Sequence, residues 1–195
     1  MSRSAAERLR ADGQPIGEVY LGREEIAARV AELGREIAAV YAGSLPLLVA
    51  PLKSSTVFLA DLSRALELDH ELDVIELAPY GSGRAGGGVR LLKDLDHPLE
   101  GRDVLLVEDV VDTGLTLGFL TRCFAERRPA SLAAVTLLDR PYRRLVDDIP
   151  LRHVGFTVPD ELFAGYGLGL DERWRALPDL HLVAVDELPA AIDAA

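Results

Sequence analysis

Apolar residues at Ile26, Val30, Leu33, Ile37 and Val40 recur at spacings of three and four and predict an amphipathic helix over Gly22 to Ala42. Pro46 to Leu52 is an apolar run short enough for a buried strand, and Phe58, Leu59, Leu62, Ala65 and Leu66 then restore helical spacing across Ser54 to Leu66. Glu71 to Ala78 predicts another strand, with Val89 to Leu92 as the return strand of the loop between them. That loop, Pro79 to Gly88, holds five glycines and is expected to be mobile, because glycine gives up the most freedom on ordering. Asp103 to Val107 is a strongly apolar strand, helical spacing returns from Leu117 to Ala125, and Ser131 to Leu138 is a further β-rich run. Such alternation predicts an α/β fold, a parallel sheet flanked by helices. After Pro150 the pattern changes to short strands and turns, with glycines at Gly165, Gly167 and Gly169 and a last apolar strand over Leu180 to Val185. Residues 1–17 are expected to form a flexible segment ahead of a single domain, 18–195.

Composition narrows the function more than the fold. At 195 residues, 49% hydrophobic and 27% charged, the chain can bury a sizeable core without a disulfide or metal staple. The single cysteine, Cys123, excludes disulfides within the chain and multi-cysteine zinc sites, and its helical position beside Phe119 and Leu120 marks it as a core residue. A net charge of -11 argues against a nucleic-acid partner, which would need a surplus of Lys and Arg on one face. The polar start MSRSAAERLRADGQP lacks a secretory apolar run and no window approaches a membrane span, so a cytoplasmic protein without a membrane partner is expected.

One stretch carries chemistry. DVLLVEDVVDTGLTL, Asp103 to Leu117, places three carboxylates and three small polar residues where a strand ends and a helix begins, the edge at which open α/β sheets bind ligands. Backbone amides of Thr113, Gly114, Leu115 and Thr116 at the helix start, with the two threonine hydroxyls, can hold a phosphate without a lysine. Glu108 and Asp109 can accept hydrogen bonds from a ribose diol, so the arrangement suits a sugar phosphate. The competing explanation is a capped helix start beside solvated turn carboxylates, which does not account for two adjacent acids closing a buried strand.

The sequence resembles the type I phosphoribosyltransferases, in particular the bacterial hypoxanthine-guanine branch, from about Val19 to Asp186. The resemblance rests on DVLLVEDVVDTGLTL, RLLKDLD, VTLLDRP, VGFTVPDE, GYGLG and DERWR in family order. It implies the type I fold with a small hood built partly from the C-terminal segment. It also implies transfer of ribose 5-phosphate from phosphoribosyl pyrophosphate to a purine-like base, with magnesium on the pyrophosphate and assembly as a homodimer or homotetramer. Carried over by motif, Glu108 and Asp109 meet the ribose hydroxyls, Thr113 to Thr116 the 5-phosphate, and Asp112 the imidazole edge of the base as proton acceptor. Lys53 and Arg175 flank the pyrophosphate, and Tyr80 lies on the loop that closes over the site. The alternatives for these three are a surface cation, an ion pair with Asp171 or Glu172, and an ordinary loop aromatic.

Five departures from the family pattern cluster around the base and the catalytic accessories. Arg140 stands where a lysine meets the purine 6-oxo group, and Leu162 where an aromatic ring stacks, with Phe163 next to it as the substitute. Gly169 replaces a metal-binding aspartate, leaving Asp171 two positions on to join Glu108 and Asp109 as carboxylates for the metal. Pro79 replaces a serine before the loop tyrosine, and Ser54 a glycine in the pyrophosphate loop. Together they raise two alternatives to ordinary purine salvage: a transferase for a modified or 7-deaza purine, and a noncatalytic phosphoribosyl pyrophosphate or nucleotide binder.

Overall fold

The computed structural model describes residues 14–80, 88–170 and 172–184. Its main sheet has six strands in the order β4 (Gly88–Lys93), β3 (Glu71–Tyr80), β2 (Leu47–Leu52), β5 (Asp103–Val111), β6 (Ser131–Asp139) and β7 (Leu151–Thr157). Every pairing is parallel except β3 with β4, where the chain returns on itself. The helices α1 (Arg23–Val40) and α2 (Ser55–Ala65) cover one face, and α3 (Leu115–Ala125) covers the other. The expected α/β layering is therefore present, and β2, covered on both faces, keeps its first five residues buried.

Several boundaries differ from expectation. β3 runs on through Pro79 and Tyr80, so these two residues are strand rather than loop, paired with Val89 and Gly88. Proline is compatible with such a position because this end of β3 joins an outer, antiparallel ladder. The rest of the glycine loop, residues 81–87, lies outside the described residues. β5 continues four residues past Val107, so Glu108 and Asp109 belong to the strand itself. Its pairing with β6 persists to Val111 opposite Asp139 and carries both acids into the interior.

A second sheet of three antiparallel strands forms the hood: β1 (Ile16–Leu21), β9 (Leu180–Val183) and β8 (Phe163–Ala164). The C-terminal share was expected, whereas β1 was not, and the ordered hood begins at Ile16, two residues ahead of the anticipated domain start. Ile16, Ala164, Leu177 and Val183 make its small core. Leu21, Phe163, Tyr166, Leu168 and Leu180 reach into the core beneath α1 and α2 and bind the two sheets into one body.

Polar contacts tie the edges down. Arg29 of α1 donates to the Val154 and Gly155 carbonyls on the edge strand β7 (2.8 and 3.1 Å). In the hood, a Cβ on Gly167, whose φ is +95°, would lie 2.3 Å from the Ser54 carbonyl, so the glycine-rich stretch rests directly on the β2–α2 loop. Tyr166 reinforces that contact by donating its hydroxyl to Asp61 of α2 (2.8 Å). Among the described residues no helix is long and apolar enough to cross a membrane.

The α1–α2 packing depends on Gly34, where a Cβ would meet the Ala65 carbonyl oxygen at 2.5 Å. Gly34→Ala is expected to push the helices apart at a cost of about 1–3 kcal/mol, lowering the melting temperature by roughly 2–10 °C. An unchanged melting curve would show that this contact does not set the helix separation.

Candidate active site

A cleft of about 260 Å³ opens at the carboxyl edge of β2 and β5, between the β2–α2 loop and the turn that leads into α3. It is walled by Leu52, Ser54 and Ser55 on one side and by Glu108, Asp109, Asp112, Thr113, Gly114 and Thr116 on the other. All but Leu115 of the seven acids and turn residues singled out from sequence therefore line one cavity, and Leu115 is the exposed first residue of α3.

Glu108 and Asp109 are both buried, at 6% and 9% exposure. Ser55 couples them: its hydroxyl donates to Asp109 Oδ1 (3.0 Å), lies 3.5 Å from Glu108 Oε2, and accepts the Asp109 amide (3.3 Å). The other oxygen of Glu108, Oε1, is buried without a hydrogen-bond partner. Burial first, and the Asp109 charge second, push the Glu108 carboxyl well above the ordinary range, against a smaller downward pull from the Ser55 hydroxyl.

The turn after β5 leaves its amides uncapped. Gly114 has φ +79° and precedes α3 without any side-chain cap. The Thr113 hydroxyl makes only a long contact to the Leu115 amide (3.4 Å), and the Gly118 amide closes the first helical bond on the Gly114 carbonyl (2.8 Å). Amides of Leu115 to Leu117 thus stand ahead of the helical ladder at the positive end of the helix dipole. Among the described residues no lysine or arginine lines the cleft.

Before that turn, Asp112 is partly exposed and flanked by two guanidinium groups, Arg140 Nη1 at 3.8 Å from Oδ2 and Arg143 Nε at 3.4 Å from Oδ1. Neither satisfies it fully, since Oδ1 is buried without a geometrically sound hydrogen bond. Arg140 is buried, donates through Nη2 to the Glu161 carbonyl, and lies 5.5 Å over the Phe163 ring. The structure therefore brings Asp112, Arg140 and Phe163 together. Phe163 is only 3% exposed, however, with its ring also against Tyr20 (4.9 Å between centroids), so it underpins Arg140 instead of offering a free stacking face. Leu162 packs against the hood core of Ile16, Ala164, Leu177 and Val183, which corrects its expected place over a base.

Across the cleft, the loop after β2 and the segment around Glu172 have a definite arrangement. The Leu52–Lys53 peptide is cis. Lys53 Nζ pairs with Glu172 Oε2 (2.9 Å), and Arg175 Nη2 lies 3.4 Å from Glu172 Oε1, so one exposed carboxylate joins the two expected cations. The Arg175–Glu172 pair anticipated as an alternative thus exists, on a looped segment rather than a helix. Arg175 also donates to the Gly167 carbonyl (2.9 Å) and covers Gly169, where a Cβ would meet Arg175 Cγ at 2.8 Å and the Arg173 carbonyl at 2.5 Å. This conformation has no room for an aspartate at that position. Asp171 lies outside the described residues, and Tyr80 ends β3 with its side chain likewise outside them.

Sequence reasoning missed Ser55, Arg143 and Arg144. The signal for the two arginines was present in DRPYRR, a basic cluster one residue beyond a buried strand in an otherwise acidic chain.

This combination of a parallel sheet, a hood, a buried acid pair and an uncapped amide turn defines a phosphoribosyl-binding α/β protein. The phosphoribosyl transferase domain family matches residues 19–167, and the chain belongs to that family. Its relatives include the hypoxanthine phosphoribosyltransferase of Salmonella typhimurium, 45% identical over 174 residues that cover 87% of this chain and 97% of the relative. The hypoxanthine-guanine phosphoribosyltransferase of Mycobacterium avium is 46% identical over 169 residues, 83% of each chain. Among solved structures, a hypoxanthine phosphoribosyltransferase from Staphylococcus aureus superposes with a TM-score of 0.85 at 33% identity, covering 94% of this chain and 96% of that one. A hypoxanthine-guanine phosphoribosyltransferase from Bacillus anthracis gives 0.81 at 39% identity, over 87% and 98%.

Because the folded Glu108 pKa is raised, its ionised form destabilises the unliganded fold above the ordinary carboxylate range, and that destabilisation is absent once the group is protonated. Glu108→Gln is therefore expected to raise the melting temperature at about pH 8, by roughly 2–4 °C per ~1 kcal/mol relieved. The gain should fade toward about pH 4, where the wild-type carboxyl is largely protonated in folded and unfolded chains alike. Thermal melts at the two pH values test this, and an equal gain at both would contradict a raised pKa.

Proposed function

We propose that this chain is a purine phosphoribosyltransferase that moves ribose 5-phosphate from phosphoribosyl pyrophosphate to a base such as hypoxanthine, releasing pyrophosphate. The observation that carries this reading is the buried Glu108–Asp109 pair feeding into an uncapped amide turn, in a family whose relatives are named for that activity. In the reaction, a ring nitrogen of the base bonds to the anomeric carbon as the carbon–oxygen bond to pyrophosphate breaks. Glu108 and Asp109 orient the ribose through its hydroxyls, and the amides of residues 113–116 with the Thr113 and Thr116 hydroxyls hold the 5-phosphate. Asp112 accepts the proton that the base sheds, its charge held in place by Arg140 and Arg143. Lys53 and Arg175 receive the pyrophosphate once Glu172 gives them up. Tyr80, at the end of β3, helps to exclude water from the reacting atoms.

A divalent cation, magnesium in this reading, suits the site. Glu108 Oε1 is a buried, unpartnered hard oxygen donor beside a second carboxylate. Among the described residues no cluster of three or more His, Cys, Asp or Glu is placed to hold a metal. Glu108 and Asp109 would accordingly meet the ion together with substrate oxygens and water, as magnesium prefers, and Asp171 is the further carboxylate offered to it. The ion would neutralise charge on the departing pyrophosphate. A cytoplasmic location and assembly as a homodimer or homotetramer accompany this reading.

Base identity is the point at which a second reading has support. Arg140 is fixed by the Glu161 carbonyl and the Phe163 ring, so it presents a planar, permanently charged fork where a mobile ammonium would meet a single carbonyl. That favours a base with two adjacent acceptors, which a 6-oxopurine offers at O6 and N7 and a 7-deazapurine offers only where a substituent at position 7 supplies the second. Assays of nucleotide and pyrophosphate formation from phosphoribosyl pyrophosphate and magnesium, across hypoxanthine, guanine and 7-substituted deazapurines, decide between the readings. Turnover of hypoxanthine or guanine establishes salvage, turnover confined to deazapurines establishes the second reading, and binding without turnover of any base leaves a noncatalytic binder. Asp109→Ala and Thr116→Ala should each weaken phosphoribosyl pyrophosphate by one to two decades, from loss of hydrogen bonds worth roughly 1.5–3 kcal/mol. Unchanged dissociation constants for both folded variants would remove the phosphoribosyl site from this cleft.

A further inference from the structure

Arg144 has no role in the reaction just described, yet its position is unusual. The side chain is 9% exposed and pairs through Nη2 with Asp139 Oδ1, but Nη1 is buried without a hydrogen-bond partner. A buried guanidinium with an unsatisfied donor is costly, so its location calls for a physical reason. A Cβ on Gly114 would stand 3.1 Å from Arg144 Cδ and 3.6 Å from Nη1. The same Cβ would meet the Val146 carbonyl oxygen at 2.8 Å, while the amides of Leu145 and Val146 both donate to the Thr113 carbonyl (2.8 and 3.2 Å). Residues 144–146 are thus the bed on which the left-handed turn at Gly114 lies.

The cleft in front of that turn is electrostatically adverse to a phosphate. Among the described residues its wall carries Glu108, Asp109 and Asp112 and no lysine or arginine. The start of α3 offers an equivalent of only about half a positive charge. We propose that Arg144 is the positioning residue of the phosphate turn: it braces Gly114 and supplies, from behind the backbone, the positive charge that the cleft wall lacks. The proposal rests on the reading that this turn holds the 5-phosphate, and it adds the source of the charge that makes a dianion tolerable there. Asp139, paired with Nη2, sets how much of that charge remains available.

Calorimetric titration with a purine nucleoside 5′-monophosphate and with the corresponding nucleoside separates phosphate binding from everything else in the site. Arg144→Met is expected to weaken the nucleotide about 10- to 30-fold and leave the nucleoside within about twofold, and Arg144→Lys, which keeps the charge, should recover nucleotide affinity to within about threefold of wild type. If Arg144→Met does not accumulate as folded protein, Arg144→Gln serves the same comparison. Asp139→Asn keeps the arginine and frees its charge, and should tighten the nucleotide about threefold without affecting the nucleoside. Equal loss of both ligands in the Met or Gln variant would reduce Arg144 to a folding role. A Lys variant as impaired as Met, unchanged nucleotide binding in Met, or no tightening in Asp139→Asn would each overturn the proposal. Wild-type protein that binds neither the nucleotide nor phosphoribosyl pyrophosphate would overturn the phosphate site itself, whereas wild type that binds and variants that do not differ would overturn only the role of Arg144.

Discussion

Two adjacent carboxylates inside a parallel sheet are the constraint to which the rest of this molecule is fitted. Glu108 and Asp109 lie where β6 still pairs with β5 but β2, whose pairing ends at Leu106, no longer does, and the Asp109 amide turns to the Ser55 hydroxyl instead. One serine hydroxyl sits between them, too little to meet the hydrogen-bonding demand of two ionised carboxylates. Glu108 therefore keeps its proton more readily than an ordinary glutamate.

The region C-terminal to that strand follows from the same register. Val111 pairs with Asp139, and the Arg140 amide donates to the Val111 carbonyl (3.0 Å), so the residues that follow β5 and β6 emerge side by side. This is why Asp112 faces Arg140 and why the arginines of the next turn gather under the turn that opens α3. The buried acid pair, the uncapped turn and the Asp112–Arg140 contact are thus three consequences of one strand pairing.

How far this was legible in the sequence depended on whether a residue's role is local. The helices and the interior strands could be read because their apolar periodicity is strong and unbroken, as at Ile26 to Ile37 and Leu47 to Leu52. The acids and turn residues of Glu108 to Thr116 could be grouped because they are contiguous, and all but Leu115 line one cleft. β1 escaped because IGEVYL alternates weakly and gains its strand identity only from β9, which lies more than 150 residues away. The end of β5 was set too early because carboxylates look like strand terminators until a neighbouring hydroxyl is known to meet them. Leu162 and Phe163 were placed by their motif neighbours, yet the hood's pairing turned one into its core and the other beneath Arg140. Serine 55 and the charge network around Asp112 join residues from separate elements, and no sequence window contains both ends.

The bonds from Arg29 to two carbonyls of β7 have a consequence for the solution behaviour of the protein. β7 is an outer strand, and an outer strand presents unpaired backbone groups on which another chain can extend the sheet. A guanidinium from α1 occupies the Val154 and Gly155 carbonyls there, while the opposite margin, β4, carries Arg90 and Lys93. A chain with few cations to spare thus places some of them at both open margins of its main sheet, where they oppose the templated strand addition from which fibrous aggregates grow.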